Sequence, residues 1–265
     1  MINTILRSLP PDHPWKPHIR FHAQLPSTNT EAKRLAANGA PHGTVIIADS
    51  QSAGRGRLGR SFCSPAGVGI YMSVILRPVC RPCELMHLTC AVAVAACDAM
   101  ESTLSFRPGI KWINDLVWNK RKLGGILTEL SIDPKTGLID YVVVGIGINC
   151  NQKPSDFPEE IRCIACSAST VTGTEIDCGA LAAALLLQLE KMAQTLADKC
   201  GIMERYRQDC ITIGQEITVI QGDLHRNAIA LSIDDEGALM VDFGDGSPSK
   251  VNSGEVSVRG LLGYL

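Results

Sequence analysis

Residues 141–149, YVVVGIGIN, form an apolar run unbroken by charge. The run has strand length and is rich in β-branched side chains, and it lacks the alternating polar face of a half-exposed strand. It predicts a central, buried strand, and therefore a sheet with other elements packed around it.

The flanking signals fit such a sheet. Residues 21–25 look strand-like, and Ser27 to Asn29 offer N-caps for a helix that ends at Gly39. TVIIA (44–48) and IYMSVIL (70–76) read as further strands, the second ended by the proline-rich stretch 78–82. Residues 84–102 have the length and alanine content of a helix. Residues 111–112, 115–118 and 122–131 read as strands, with a turn at Asn119–Arg121. A polar loop and cap follow over 151–175, then a long helix over 177–199. From Ile213 the pattern changes to short β-type runs (ITVI, AIALSI, LMVDF, VSVR) separated by QGD, DDEG and GDGS turns.

The expected organisation is α+β. A polar, Pro-rich leader occupies 1–20, a large domain with a mixed β-sheet 21–212, and a small β-barrel domain 213–265. That last segment is too short to be robust without docking on its neighbour.

Composition narrows the function classes. With 45% hydrophobic and 20% charged residues the chain builds an ordinary globular core, and a net charge of −2 gives no bulk attraction for nucleic acid. The most apolar helical run, 180–189, is about half the length of a membrane span. The 11 cysteines are odd in number and follow no secretory segment, so reduced thiols and a cytoplasmic location are expected. Cys83, Cys90 and Cys97 recur every seven residues, which predicts buried thiols on one helix face. The CxxC pairs Cys80/Cys83 and Cys163/Cys166 fall outside zinc-ribbon spacing, and no metal site is expected.

Three segments carry chemistry. The first is Gly54-Arg55-Gly56-Arg57-Leu58-Gly59-Arg60. Its glycines satisfy GxGxxG after a strand, but the chain continues as Ser61-Phe62-Cys63-Ser64-Pro65, which opens no helix under a pyrophosphate. The acidic ribose ligand expected about twenty positions on is also missing, since residue 79 is a valine. A mobile loop whose arginines meet phosphate or carboxylate fits better; a solvated charged turn is the simpler alternative. In the second segment, Asp115 and Lys122 flank a hairpin turn and Lys122 adjoins Gly124 and Gly125. That arrangement suits either an anion site or a surface ion pair. The third, Gly145-Ile146-Gly147-Ile148-Asn149, ends the buried strand with glycines and an amide, a common way to line a pocket.

Taken in order, PSTN, QSAGRGRLGR, KWIND, KLGGIL and VGIGIN resemble the catalytic domain of biotin–protein ligases, over about residues 20 to 200. The C-terminal β segment is similar to that family's SH3-like domain. The resemblance implies ATP-dependent formation of biotinyl-5′-AMP, then transfer of biotin to a lysine of a biotin carboxyl carrier protein. Lipoate–protein ligase is the alternative. ATP is implied with Mg²⁺ held mostly through phosphates and water.

By the same resemblance Ser27, Thr28 and Asn29 lie at the biotin end, with Gln51 and Gly54 reading the ureido group. Arg55, Gly56 and Arg57 belong to a loop that folds over biotin and adenylate. Lys122, Arg57 and Asp115 are the implied catalytic residues. Phe62 lies near the adenine, Asn149 at the nucleotide end, and Trp112, Asn114 and Gly125 complete the substrate site. The family's KWPND has Ile113 in place of proline here, which loosens one turn. Too few residues precede the catalytic domain for a helix-turn-helix module, so no nucleic-acid or membrane partner is expected. A monomer and a homodimer both remain open.

Overall fold

The computed structural model describes residues 1–253 and 257–260. The apolar run lies within β7 (Ile139–Asn149), in the middle of a seven-stranded mixed sheet. Its neighbours β3 (Gly69–Leu76) and β6 (Arg121–Ile132) both run antiparallel to it. Beyond β3 lie β2 (Thr44–Gln51) and the edge strand β1 (Ile19–Leu25), which pair in parallel. Beyond β6 lie β5 (Asp115–Trp118) and β4 (Gly109–Lys111).

The pleat sends alternate side chains of β7 to opposite faces. Val142, Val144, Ile146 and Ile148 enter the main core, under α3 (Leu88–Leu104) and α5 (Cys178–Thr195). Val143 points the other way, where it meets Ala32, Leu35 and Ala36 of α2 (Thr28–Ala37) together with Ile46 and Ile75. Helix α2 begins beside Gly145. Past that point, over Gly147 and Asn149, this second face borders a cleft.

Several expectations need correction. The polar leader contains α1 (Ile2–Ser8), which packs on α5, and it buries Ile5, Leu9 and Trp15. Trp15 lies against Gly43, where a Cβ would come within 2.1 Å of the indole. Ser27 precedes α2, but its side chain makes no capping bond, and Thr28 and Asn29 sit inside the first turn. Cys90 and Cys97 are buried as expected; Cys83 is exposed, because it lies in a 3₁₀ turn ahead of α3. The most apolar helical stretch is Pro82–Leu104, not 180–189. It is long and apolar enough to span a membrane by length and composition, yet 72% of its apolar 18-residue window is buried inside the fold, as in a core helix. The expected helix over 177–199 is α5, which stops at Thr195, and a further helix, α6 (Lys199–Asp209), starts where Asp198 accepts from the Gly201 N–H. Within the polar loop over 151–175 lies the short α4 (Ala168–Thr172).

The C-terminal segment forms a second, antiparallel sheet of β8 (Glu216–Gln221), β9 (Leu224–Ile233), β10 (Leu239–Asp242), β11 (Pro248–Val251) and β12 (Ser257–Gly260). The strand order is β11-β10-β9-β8-β12, and no pairing closes β11 onto β12 among the described residues. Residues 254–256 and 261–265 of the expected 213–265 domain lie outside the described residues.

Helix α6 links the two sheets. Its Tyr206 hydroxyl donates to the Ile113 carbonyl, and Arg207 Nε donates to the Ile233 carbonyl at 2.7 Å. Asp209 grips Arg107 through both carboxylate oxygens.

Candidate active site

A buried polar cluster lies where α2 starts over the centre of the sheet. The Thr28 backbone N–H and its hydroxyl both donate to Gln51 Oε1, at 2.8 and 3.2 Å. Asn29 lies over Gly145, where a Cβ would fall 2.0 Å from Asn29 Oδ1, so only glycine leaves room. Ser73, fully buried mid-strand in β3, donates to Thr28 Oγ1 or Asn29 Oδ1, at 2.8 and 2.6 Å. The Asn29 amide in turn donates to Leu127 O at 3.2 Å and Glu129 Oε2 at 3.0 Å. Ser27 is buried at the same helix start.

The Gly/Arg loop closes on itself and over this region. The Phe62 N–H donates to Gly54 O, and the Gly56 N–H to Arg60 O. At Gly54 a Cβ would approach Phe62 O to 2.3 Å and Ser64 Oγ to 2.8 Å, so glycine is required for the loop to pack. Ser64 Oγ also accepts from Gln51 Nε2, which joins the loop to the polar cluster. Arg55 pairs with Glu129 at 3.2 Å. Arg57 donates to Asn114 Oδ1 at 3.0 Å and to the Ser253 carbonyl of the C-terminal segment. Burial pulls the Arg57 pKa below its ordinary value, with the Asp115 charge opposing that pull. Phe62 lies over Gly147 and meets Tyr71 edge-on at 6.4 Å between centroids.

The β4–β5–β6 meander supplies the charged groups. Asn119 and Lys120 both have positive φ, 46° and 63°, which makes the β5–β6 connection a two-residue hairpin turn. Asp115 faces Gly125 and Leu116 faces Gly124, but a bulge then sets Val117 opposite Lys122. The bulge sends Leu123 into the core and returns Lys122 to the face of Asp115 and Gly125. Lys122 Nζ reaches Asp115 Oδ1 at 2.7 Å, and Asn114 Nδ2 donates to the same oxygen at 3.0 Å. A Cβ at Gly125 would crowd Lys122 Nζ at 3.3 Å.

These groups line a cleft of about 220 Å³. Arg57, Arg60, Asn114, Asp115, Lys122 and Asn149 provide its polar wall; Phe62, Phe157, Ile161 and Ile164 provide its apolar wall. Asn149 is buried and donates to Cys166 O at 3.0 Å. Trp112 does not line the cleft. Its buried indole N–H donates to Gly237 O at 2.9 Å, and its backbone N–H to Thr212 Oγ1 at 2.9 Å.

Sequence reasoning missed four features. Ser73 and Glu129 read as polar residues inside strands, with no local sign of which face they take. Lys111, directly opposite Asp115, is buried, and desolvation brings its pKa down to about 8. Phe157, Ile161 and Ile164 lie in what read as polar loop. Their i, i+4, i+7 spacing was the available signal.

Glu129 is a hub. Its burial favours the neutral acid, but hydrogen bonds from Lys33 and Asn29 and the charge of Arg55 outweigh that and hold its pKa below the ordinary value.

Residues 21–149 match the Biotin/lipoate A/B protein ligase family, and residues 212–259 match the Biotin protein ligase C terminal domain. The bifunctional ligase/repressor BirA of Bacillus subtilis is 36% identical over 246 residues, 91% of this chain and 74% of that protein. The biotin–[acetyl-CoA-carboxylase] ligase of Mycobacterium tuberculosis is 34% identical over 241 residues, 88% of this chain and 86% of that one. A solved structure, biotin protein ligase from Aquifex aeolicus in complex with biotin and ATP, aligns with a TM-score of 0.77 at 27% identity, over 92% of this chain and 99% of its own. The chain belongs to the Biotin/lipoate A/B protein ligase family, among its biotin protein ligases.

Proposed function

We propose that this chain activates biotin with ATP and passes it to a lysine of a biotin carboxyl carrier protein. The observation that carries the reading is the Lys122–Asp115 pair, on the wall of a cleft that also carries Arg57 and Arg60.

In this reading the pocket of Thr28, Asn29, Gln51 and Ser73 takes the ureido ring, because it offers both donors and acceptors away from bulk water. The biotin carboxylate then points along the sheet toward Lys122. One carboxylate oxygen attacks the α-phosphorus of ATP while the bond to the bridging oxygen breaks, and pyrophosphate leaves. Two anions repel as they approach, so a fixed ammonium and the Arg57 guanidinium lower the barrier by standing where charge accumulates. Phe62, Phe157 and Ile164 give the adenine an apolar wall. Asn149 supports that end.

In the second step the carrier's neutral amine attacks the acyl carbon, the mixed-anhydride bond breaks, and AMP leaves. Asp115 is placed to orient the amine and take its proton. Among the described residues Asp115 is also the one carboxylate on the cleft wall, and Lys122 and Asn114 already engage it. Magnesium would thus be held mainly by phosphate oxygens and water, with Asp115 the protein's contribution; it would neutralise phosphate charge.

Labelling of a purified carrier domain tests the reading. Biotin and ATP together should modify one carrier lysine, and omitting either should abolish the product. Equal labelling with lipoate would move the chain to the lipoate ligases of the family.

A further inference from the structure

We propose that Glu129 is a positioning residue that couples occupancy of the polar pocket to closure of the arginine loop. The inference rests on the ligase reading above for what the pocket binds, but not for the coupling itself.

One carboxylate joins three separate pieces of chain. Oε2 accepts from Asn29 Nδ2 at 3.0 Å and from Arg55 Nη1 at 3.2 Å, and Oε1 accepts from Lys33 Nζ at 2.7 Å. Lys33 and Asn29 belong to α2, Arg55 to the loop, and Glu129 itself to β6. The registry explains the meeting. Glu129 stands opposite Val143 and Leu127 opposite Gly145, so Glu129 rises on the face that α2 covers, one pleat from the floor beneath Asn29.

The Asn29 amide has no rotational freedom while Glu129 is present. Its nitrogen donates to Leu127 O and Glu129, and its oxygen accepts from Ser73 at 2.6 Å. Turning the amide over would aim an N–H₂ at Ser73 and an oxygen at two acceptors. Glu129 therefore fixes which way the pocket presents Asn29. The same carboxylate is a partner of Arg55, on the half-exposed side of the loop. An exposed ion pair alone holds a loop weakly, whereas a carboxylate already anchored by two α2 groups is a fixed point for the arginine to close upon. Because Glu129 holds both, a ligand that bonds to the fixed Asn29 amide and an arginine loop closed on the carboxylate favour the same arrangement. The partners of Glu129 are Asn29, Lys33 and Arg55, on α2 and the loop, so it acts on binding and closure rather than on the chemical step.

The test uses the full-length protein with Glu129→Gln, which keeps the size and removes the charge. Glu129→Asp keeps the charge but withdraws it by one methylene, and Arg34→Ala, which removes an exposed ion pair to Glu31 on the same helix, serves as the control. Melting temperatures verify folding. Two readouts are taken: biotin KM and kcat in ATP–pyrophosphate exchange, and the rate of tryptic cleavage within the loop with and without biotin. Glu129→Gln should raise the biotin KM on the order of tenfold with kcat within about twofold, as expected for lost positioning. It should also be cut faster and lose biotin protection; Glu129→Asp should show a weaker form, and Arg34→Ala neither change. Unaltered KM and protection in Glu129→Gln would overturn the proposal, as would a fall in kcat at constant KM. Wild-type protein with no biotin-dependent exchange would defeat the ligand assignment instead. In that case faster ligand-free cleavage of Glu129→Gln still supports the latch, and unchanged cleavage refutes it.

Discussion

Lys122 illustrates what a single position needs in order to act. Simple alternation along β6 would put residues 122 and 125 on opposite faces, and the bulge opposite Leu116 and Val117 puts them on one. The result is an ammonium held at 2.7 Å from Asp115, on the cleft wall, with open backbone at Gly125 beside it. If that ammonium holds the reacting anions, Lys122→Ala should slow adenylation by about 10²–10³, the usual loss for one preorganised electrostatic contact. The fold should survive, because the side chain is partly exposed. Near-normal adenylate formation by a folded Lys122→Ala protein would remove it from the reaction. At this scale turn spacing was enough to bring Asp115 and Lys122 together, as the structure has them, while only the family resemblance gave the pair and the Arg57 loop a role. It was silent on Ser73 and Glu129, whose importance comes from partners 44 and 100 residues away in the chain. Trp112 is a third kind of case: it was grouped with substrate-contacting residues by its neighbours in the motif, while its indole turns to the C-terminal segment.

Among elements, the decisive contact is between the β4–β5 turn and the C-terminal sheet. Gly237, at φ +84°, offers its carbonyl to the Trp112 indole, and a Cβ there would meet Cys90 Sγ at 2.9 Å. Asp234 braces that turn by accepting from the Glu236 and Ala238 N–H groups. Asn114 and Asp115 follow Trp112 directly, so the C-terminal sheet holds the segment that carries them. Trp112→Phe deletes the donor and leaves a buried carbonyl unpaired, at a cost of about 1–3 kcal/mol. The expected outcome is a lower melting temperature together with a reduced rate of biotin transfer. A lower melting temperature with full activity would show that the link supports the fold alone. The strands themselves were legible, because β3, β5, β6 and β7 announce themselves by apolar runs and a tight turn. Helix α6 was not, since KCGIMERYRQD has a weak apolar face and its start is marked only by Asp198. The packing of α1 and Trp15 was hidden for a related reason: prolines and charges dominated the composition around the few side chains that anchor it.

Across the whole molecule, two buried histidines make stability sensitive to acid. His13 and His87 are 5% and 2% exposed, and burial lowers the pKa of each from its ordinary value of 6.5. His87 Nε2 lies 2.9 Å from Leu196 O and His13 Nδ1 accepts from the Trp15 N–H. His87 Nε2 donates to Leu196 O, so an added proton goes to Nδ1, which has no hydrogen-bond partner among the described residues; in His13 an added proton goes to Nδ1 and displaces the bond from the Trp15 N–H. The sign follows from linkage. Below about pH 6.5 the unfolded chain takes up protons that the folded chain refuses, so the stability present above that value is lost as pH falls toward the folded pKa values. The melting temperature should therefore drop between pH 7 and pH 5, and His87→Gln should flatten the dependence. A melting temperature that is constant or rises on acidification would refute this account.

The central claim is that one cleft brings biotin's carboxylate to the α-phosphate of ATP. Isotope exchange between pyrophosphate and ATP measures that step alone, with no carrier present. The account predicts exchange that requires biotin, is not supported by lipoate at the same concentration, and is lost in Lys122→Ala. Exchange that proceeds without biotin, or equally well with lipoate, would contradict it.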